Sequence, residues 1–248
     1  MVEQGRLPAA SFLLGNTTSR KTYSAAGIQI MTAEQIFLEI DRTKSDISDF
    51  ISAYKAEPTV SSYDDWNCRD TAAHILEWII FSRNKIIAIA NAKPFSEIKN
   101  LDDFNRAAWQ KNKTESLERI LFALVHELDE YKNAVSLYSD TELERKDFPT
   151  GFHFEMRRYM ILDTVIHPIM HILYHALKTK RFDLFAAQCR RRRGAFLDFS
   201  GGDSSVFSFD EYIENHEMFT SAMQELHSQF PTDNTVGAVL RANGLERQ

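Results

Sequence analysis

Residues 71–92 read TAAHILEWIIFSRNKIIAIANA, a run whose apolar side chains fall on almost every side of the helix it would form. A helix apolar nearly all round is a buried one, so this stretch predicts a helical interior with neighbours on several sides. Asn67 or Asp70 caps its start, Trp66 stands just ahead of it, and Pro94 stops it. Its neighbours are visible in the same pattern. Ile36, Ile40, Ile47, Phe50, Ile51 and Tyr54 recur at helical spacing and predict a first helix after Met31, with Thr32 as N-cap and Gln35 as capping-box partner. That helix ends near Pro58. Leu117, Ile120, Leu121, Leu124 and Leu128 predict a third helix starting near Thr114 or Glu115 and running towards Tyr138. A fourth is expected over residues 156–180.

Between these lie two connections. Residues 93–113 are expected as a linker with a short amphipathic turn around Phe104, Ala108 and Trp109, and KDFPTGFHFEM as an irregular segment broken by Pro149 and Gly151. Only 9 Gly and 6 Pro in 248 residues argue against a turn-rich β fold. The expected fold is all-α: a four-helix bundle with a C-terminal helical extension.

The domain division follows from composition. Residues 1–30 hold Arg, Lys, Ser and Thr but few acids, and are expected as a flexible tail or a mitochondrial transit segment. Residues 31–185 form the bundle. Residues 186–248 form a linker and an amphipathic helix over 209–230, with Tyr212, Ile213, Phe219, Met223 and Leu226 on its apolar side. The four-arginine run 190–193 has no interleaved aromatics, which favours a solvated loop over a nucleic-acid site. Net charge of −6 gives no global attraction to nucleic acid or anionic lipid. No uninterrupted apolar run reaches the ~18 residues of a membrane helix. Cys68 and Cys189 form no framework, which fits a reducing compartment. A cytoplasmic protein is expected, mitochondrial if the first thirty residues are a transit peptide, with a small molecule as partner, no nucleic acid, no membrane, and a homodimer left open.

Chemistry concentrates in HPIMHILYH, where His167, His171 and His175 follow one another every four residues. Four residues advance a helix by ~6 Å, so neighbours in the series can hold one ion together but His167 and His175, ~12 Å apart, cannot. Pro168 removes a backbone donor and should kink the helix near Thr164. A third ligand is expected from His74, a polar group on the otherwise apolar second helix. Three neutral imidazoles leave positions open for water or substrate, the pattern of a reactive metal site. Glu77, one turn after His74, is the candidate base or orienting carboxylate, and Trp66, Trp78 and Tyr174 are candidate walls of a substrate pocket. His126, His153, His216 and His227 have no comparable setting. No phosphate loop, dinucleotide fingerprint or organic-cofactor motif is present.

With these residues placed, the chain resembles the DinB-like four-helix bundles: a Trp before the second helix, Asp70 and His74 spaced as D-x-x-x-H, a long third helix, and a histidine-bearing fourth. HILEW at residues 74–78 and FNRAAWQKNKTESLERIL are similar to the DfsB-type branch, although DFPTGFHFEM at 147–156 replaces that branch's Tyr-Pro-Trp-Thr-Gly type stretch. The resemblance covers about residues 32–181. It implies an open divalent-metal site of zinc, nickel or manganese, with His74 as first ligand and a His-x-x-x-His pair, His167 and His171, as the others, His175 being the alternative to His167. It also implies thiol-dependent transfer or hydrolysis of a small molecule. The DfsB-type branch implies instead a metal-free hydrolase or sequestering protein for a reactive electrophile. A non-catalytic interaction bundle completes the alternatives.

Overall fold

The computed structural model describes residues 32–56, 66–151 and 155–199, of which 193–199 as backbone alone, together with Ile213 and Phe219. The expected tail over 1–30 lies outside these, as does all of the 209–230 helix except Ile213 and Phe219. Both of those are fully buried against the core.

The described residues are helical, with no strand among the secondary-structure elements they form. Helix α1 is Ala33–Tyr54, and its start follows the expected capping box: Thr32 Oγ1 accepts from the Gln35 N–H while Gln35 Oε1 accepts from the Thr32 N–H. Helix α2, Cys68–Ala90, is capped by Asn67, and Asp70 returns the bond to the Asn67 N–H. Its first half is buried on every side, from Asp70 through Leu76, whereas its second half buries only Ile79, Ser82, Lys85 and Ile86. Helix α2 ends in a Schellman turn with Ala92 in the left-handed region (φ 51).

Helix α4, Leu117–Val135, lies against both α1 and α2, with Ile120, Leu124, Leu128 and Tyr131 fully buried. It runs antiparallel to α1, as the pairs Lys132–Asp41 (2.8 Å), Lys44–Asp129 (2.7 Å) and Lys55–Glu118 (3.3 Å) require. Between α2 and α4, where only a short turn was expected, stands helix α3, Leu101–Asn112. Asn100 caps it, its side chain accepting from the N–H groups of Asp102 and Asp103. Only Ala108 and Asn112 of α3 are buried; the amphipathic turn expected around Phe104, Ala108 and Trp109 is the middle of this longer helix. A single turn, α5 (Asp140–Leu143), follows α4.

The expected fourth helix is continuous from Met156 to Lys178 but changes its winding midway. Helix α6, Met156–Ile161, passes into a π-helical turn, Leu162–Ile166, and then into α7, His167–Lys178. Pro168 has no N–H for the Thr164 carbonyl, and its ring crowds that carbonyl. The chain answers by widening the preceding turn, the His167 N–H reaching back to the Leu162 carbonyl. The irregularity expected near Thr164 is therefore a π turn. By length and composition this stretch could cross a membrane, but 89% of its apolar window is buried within the protein.

Helix α8, Phe182–Phe199, crosses the expected boundary at residue 185 and corrects the reading of the arginine run as a solvated loop. Arg192 is 1% exposed. Its guanidinium donates to Glu39 Oε2 (2.9 Å), to Thr43 Oγ1 (3.0 Å) and to the Asp46 carboxylate. Arg191 adds pairs to Asp46 (2.9 Å) and Asp49 (2.8 Å). Glu39, Thr43 and Asp46 lie on one face of α1, so two arginines of the run fasten α8 to it; Arg190 is exposed.

Candidate metal centre

Helices α2 and α7 face each other, and His74 meets His167 and His171 across that interface. The three Nε2 atoms form a triangle with sides of 3.2 Å (His74 to His167), 3.0 Å (His74 to His171) and 2.9 Å (His167 to His171). His74 and His167 are each 6% exposed, while His171 is half-buried and the most exposed of the three.

Such a triangle cannot satisfy itself by hydrogen bonding. A ring nitrogen either carries a proton and donates, or carries a lone pair and accepts. Among three nitrogens in mutual contact at least two are alike, so at least one side sets N–H against N–H or lone pair against lone pair. A cation at the centre takes all three lone pairs at once. With metal–nitrogen bonds of ~2.0–2.1 Å, ligand nitrogens stand ~2.9 Å apart at right angles and ~3.3 Å apart at tetrahedral angles. The observed sides lie in that range. His74, His167 and His171 can hold a metal ion between them.

Burial prepares the ligands. It drives the His74 imidazole well below the usual histidine range, with His167 beside it adding to the effect and Asn105 opposing it. Burial holds His167 down to about 3. It also holds His171 well below its ordinary range, assisted by His74, His167 and His175. All three rings are neutral at physiological pH, the form in which imidazole binds a metal.

His175 stands apart from this cluster. It is fully buried, its Nδ1 lies 3.3 Å from the Thr71 hydroxyl, and Phe50 and Tyr54 meet it edge-on at 5.2 and 4.7 Å. The pair brought to His74 is thus His167 and His171, and the His171–His175 pair is not assembled. Glu77 is half-buried, and its carboxylate accepts from Lys111 Nζ and Asn112 Nδ2, each at 2.9 Å, instead of joining the histidines. Two of the three expected pocket aromatics stand at the cluster: Trp66 lies 5.1 Å from the His74 ring, and Trp78 lies 5.5 Å from the His167 ring. Tyr174 meets Phe219 at 6.0 Å.

Helix α3 roofs the site. Phe104 lies 4.9 Å from the Trp78 ring, and the Trp78 indole N–H donates to Asn105 Oδ1 at 3.3 Å. The Glu77 bonds to Lys111 and Asn112 hold the far end of α3 to α2. Phe81 continues the aromatic wall, 5.9 Å from Trp78, 5.7 Å from Phe104 and 5.0 Å from Phe95. Sequence reasoning missed Asn105, because the residues around it read as linker; its place seven residues before the buried Asn112 was the available clue. Comparison with known protein families, curated proteins and solved structures found no match.

Proposed function

We propose that the protein is a metal-binding four-helix bundle of the DinB-like type that acts on a small molecule, by thiol-dependent transfer or by hydrolysis. The observation that carries this reading is the triangle of buried, neutral imidazole nitrogens with sides of 2.9–3.2 Å, contributed by two helices and unable to satisfy itself. His74, His167 and His171 would hold a divalent ion, zinc, nickel or manganese, with positions left open. Bound there, the ion supplies activation of a water or thiol. The chain's own residues do the rest. Trp66, Trp78 and Phe104 keep bulk water from the ligands, Asn105 fixes the Trp78 indole and stands beside His74, and the half-buried His171 is the most exposed of the three. Burial pushes the Cys68 thiol up to about 12, so the reacting thiol would come with the substrate.

The test is metal content of the untagged protein beside His74→Ala and His171→Ala. The expected result is near one ion per chain in the parent and none in either variant. Metal-free parent protein that gains no stability from added zinc, nickel or manganese would overturn the reading.

A further inference from the structure

Little of helix α3 is sunk into the protein. Of its 12 residues Ala108 and Asn112 alone are buried, whereas α4 buries Ile120, Leu124, Leu128, Tyr131, Ala134 and Val135. It lies against α2, and the ties between the two helices are specific. The Phe104 ring stands 4.9 Å from Trp78 and 5.7 Å from Phe81, and the Trp78 indole N–H donates to Asn105 Oδ1 at 3.3 Å. The Glu77 carboxylate accepts from Lys111 Nζ and from Asn112 Nδ2, each at 2.9 Å. Asn112 Nδ2 also donates to the Ala108 carbonyl at 2.9 Å, so Glu77 grips the buried polar side chain that closes the last turn of α3.

The chain on either side of α3 is not helical. On the α2 side it is pinned at Phe95, 5.0 Å from the Phe81 ring, and at Glu97, whose carboxylate takes the Lys85 ammonium at 2.8 Å. Past Glu97 come the half-buried Ile98 and the exposed Lys99 and Asn100, and the Asn100 side chain accepts from N–H groups of α3 itself. On the α4 side the exposed Lys113 and Thr114 and the half-buried Glu115 lead to Ser116, the α4 N-cap. Short links thus flank α3 at both ends. Beneath it the Trp78 ring stands 6.2 Å from His74 and 5.5 Å from His167. A helix with few buried apolar contacts opens locally at far lower cost than the whole fold.

We propose that α3 is a lid over the histidine cluster, swinging on residues 98–100 and 113–115, and that Glu77 is its latch. Closed, the lid holds the Trp78 indole at Asn105 and keeps that ring over His74 and His167. Open, it releases the indole and gives a small molecule a way to those imidazoles. This rests on the reading of the cluster as a small-molecule site. Glu77 is a positioning residue, acting through α3 by way of Lys111 and Asn112.

The test is hydrogen exchange of the metal-free full chain, read peptide by peptide, beside carbethoxylation of its histidines by diethyl pyrocarbonate. In the parent, α3 is expected to exchange about a hundredfold or more faster than α4. In Glu77→Ala, α3 is expected to quicken by about tenfold more, with α4 unchanged. His74 should then be modified about fivefold faster than in the parent, while His175, packed in the core away from α3, keeps its rate. Lys111→Ala, at an exposed position, shifts α3 and His74 in the same direction by a smaller step and decides the matter if Glu77→Ala does not fold. Exchange of α3 at the rate of α4 in the parent would overturn the proposal. So would an α3 rate unchanged on loss of the latch, acceleration of α3 and α4 together, or faster α3 exchange with His74 no more reactive. Metal content fails separately: a working lid over a cluster that takes up no ion removes the metal reading and leaves the lid.

Discussion

His171 and His175 are the same residue type, one turn apart on α7, and their environments assign them different work. His171 shares its Nε2 with two other imidazoles, whereas His175 is packed edge-on against Phe50 and Tyr54 with its Nδ1 at the Thr71 hydroxyl. His175→Ala therefore removes core packing and no ligand. Its expected cost is ~2–4 kcal/mol in urea denaturation, with metal stoichiometry unchanged in elemental analysis. Loss of metal in that variant would place His175 in the ligand set. At this scale the sequence was informative about residue types and spacing. HPIMHILYH shows a stripe, and His74 shows a polar intruder on an apolar helix. Which pair of the stripe meets His74 depends on how far α2 and α7 slide along each other, and the residues themselves left that choice open. Glu77 misled for a related reason. Three residues carry a helix round by ~300°, so Glu77 points ~60° away from His74. That offset takes its carboxylate towards Lys111 and Asn112 of α3, a helix the periodicity revealed only as a turn.

The elements differ in how openly the sequence declares them. α1, α2 and α4 combine an N-cap with apolar periodicity, so start and buried face agree. α3 buries little, and Phe104, Ala108 and Trp109 announced only a turn of it. The π turn was half legible, since Pro168 implies a break near Thr164 but cannot say whether the helix bends, opens or widens. α8 was hidden because four consecutive arginines interrupt its apolar residues and read as solvent-loving. The decisive partners, Glu39, Thr43 and Asp46, lie about 150 residues earlier on the inward face of α1. Removing Arg192 would leave buried Asp46 with Arg191 alone and buried Glu39 with Arg42 alone, and would empty the space its guanidinium fills between them. Arg192→Ala is expected to destabilise the chain by ~3–5 kcal/mol in chemical denaturation, while the exposed Arg190→Ala stays within ~0.5 kcal/mol of the parent. Equal effects of the two changes would contradict the clamp.

Across the molecule, α2 and the Met156–Lys178 stretch carry titratable groups that burial shifts, the histidines one way and Asp163 the other, and these give the metal-free protein a readable pH dependence. Asp163 is raised to about 6 by burial, so the folded state favours its protonated form. Its contribution to stability is full below the unfolded carboxyl value of about 4 and is lost as pH rises through about 6. The histidines act oppositely: held low when folded, they give stability that is present above the unfolded value of about 6.5 and lost as pH falls. Denaturation of Asp163→Asn against the parent separates the two. The variant is expected to be the more stable at about pH 7, with the gap narrowing towards about pH 4; a gap independent of pH would show that Asp163 is not strained by burial.

The central claim is that imidazoles from α2 and α7 converge on one ion. X-ray absorption at the metal edge of the zinc-loaded full chain tests it most directly. The account predicts a first shell containing three imidazole nitrogens at ~2.0–2.1 Å, with the remaining positions filled by light atoms, and loss of the imidazole pattern in His74→Ala. A shell with one imidazole or none, or one unchanged in His74→Ala, would contradict it.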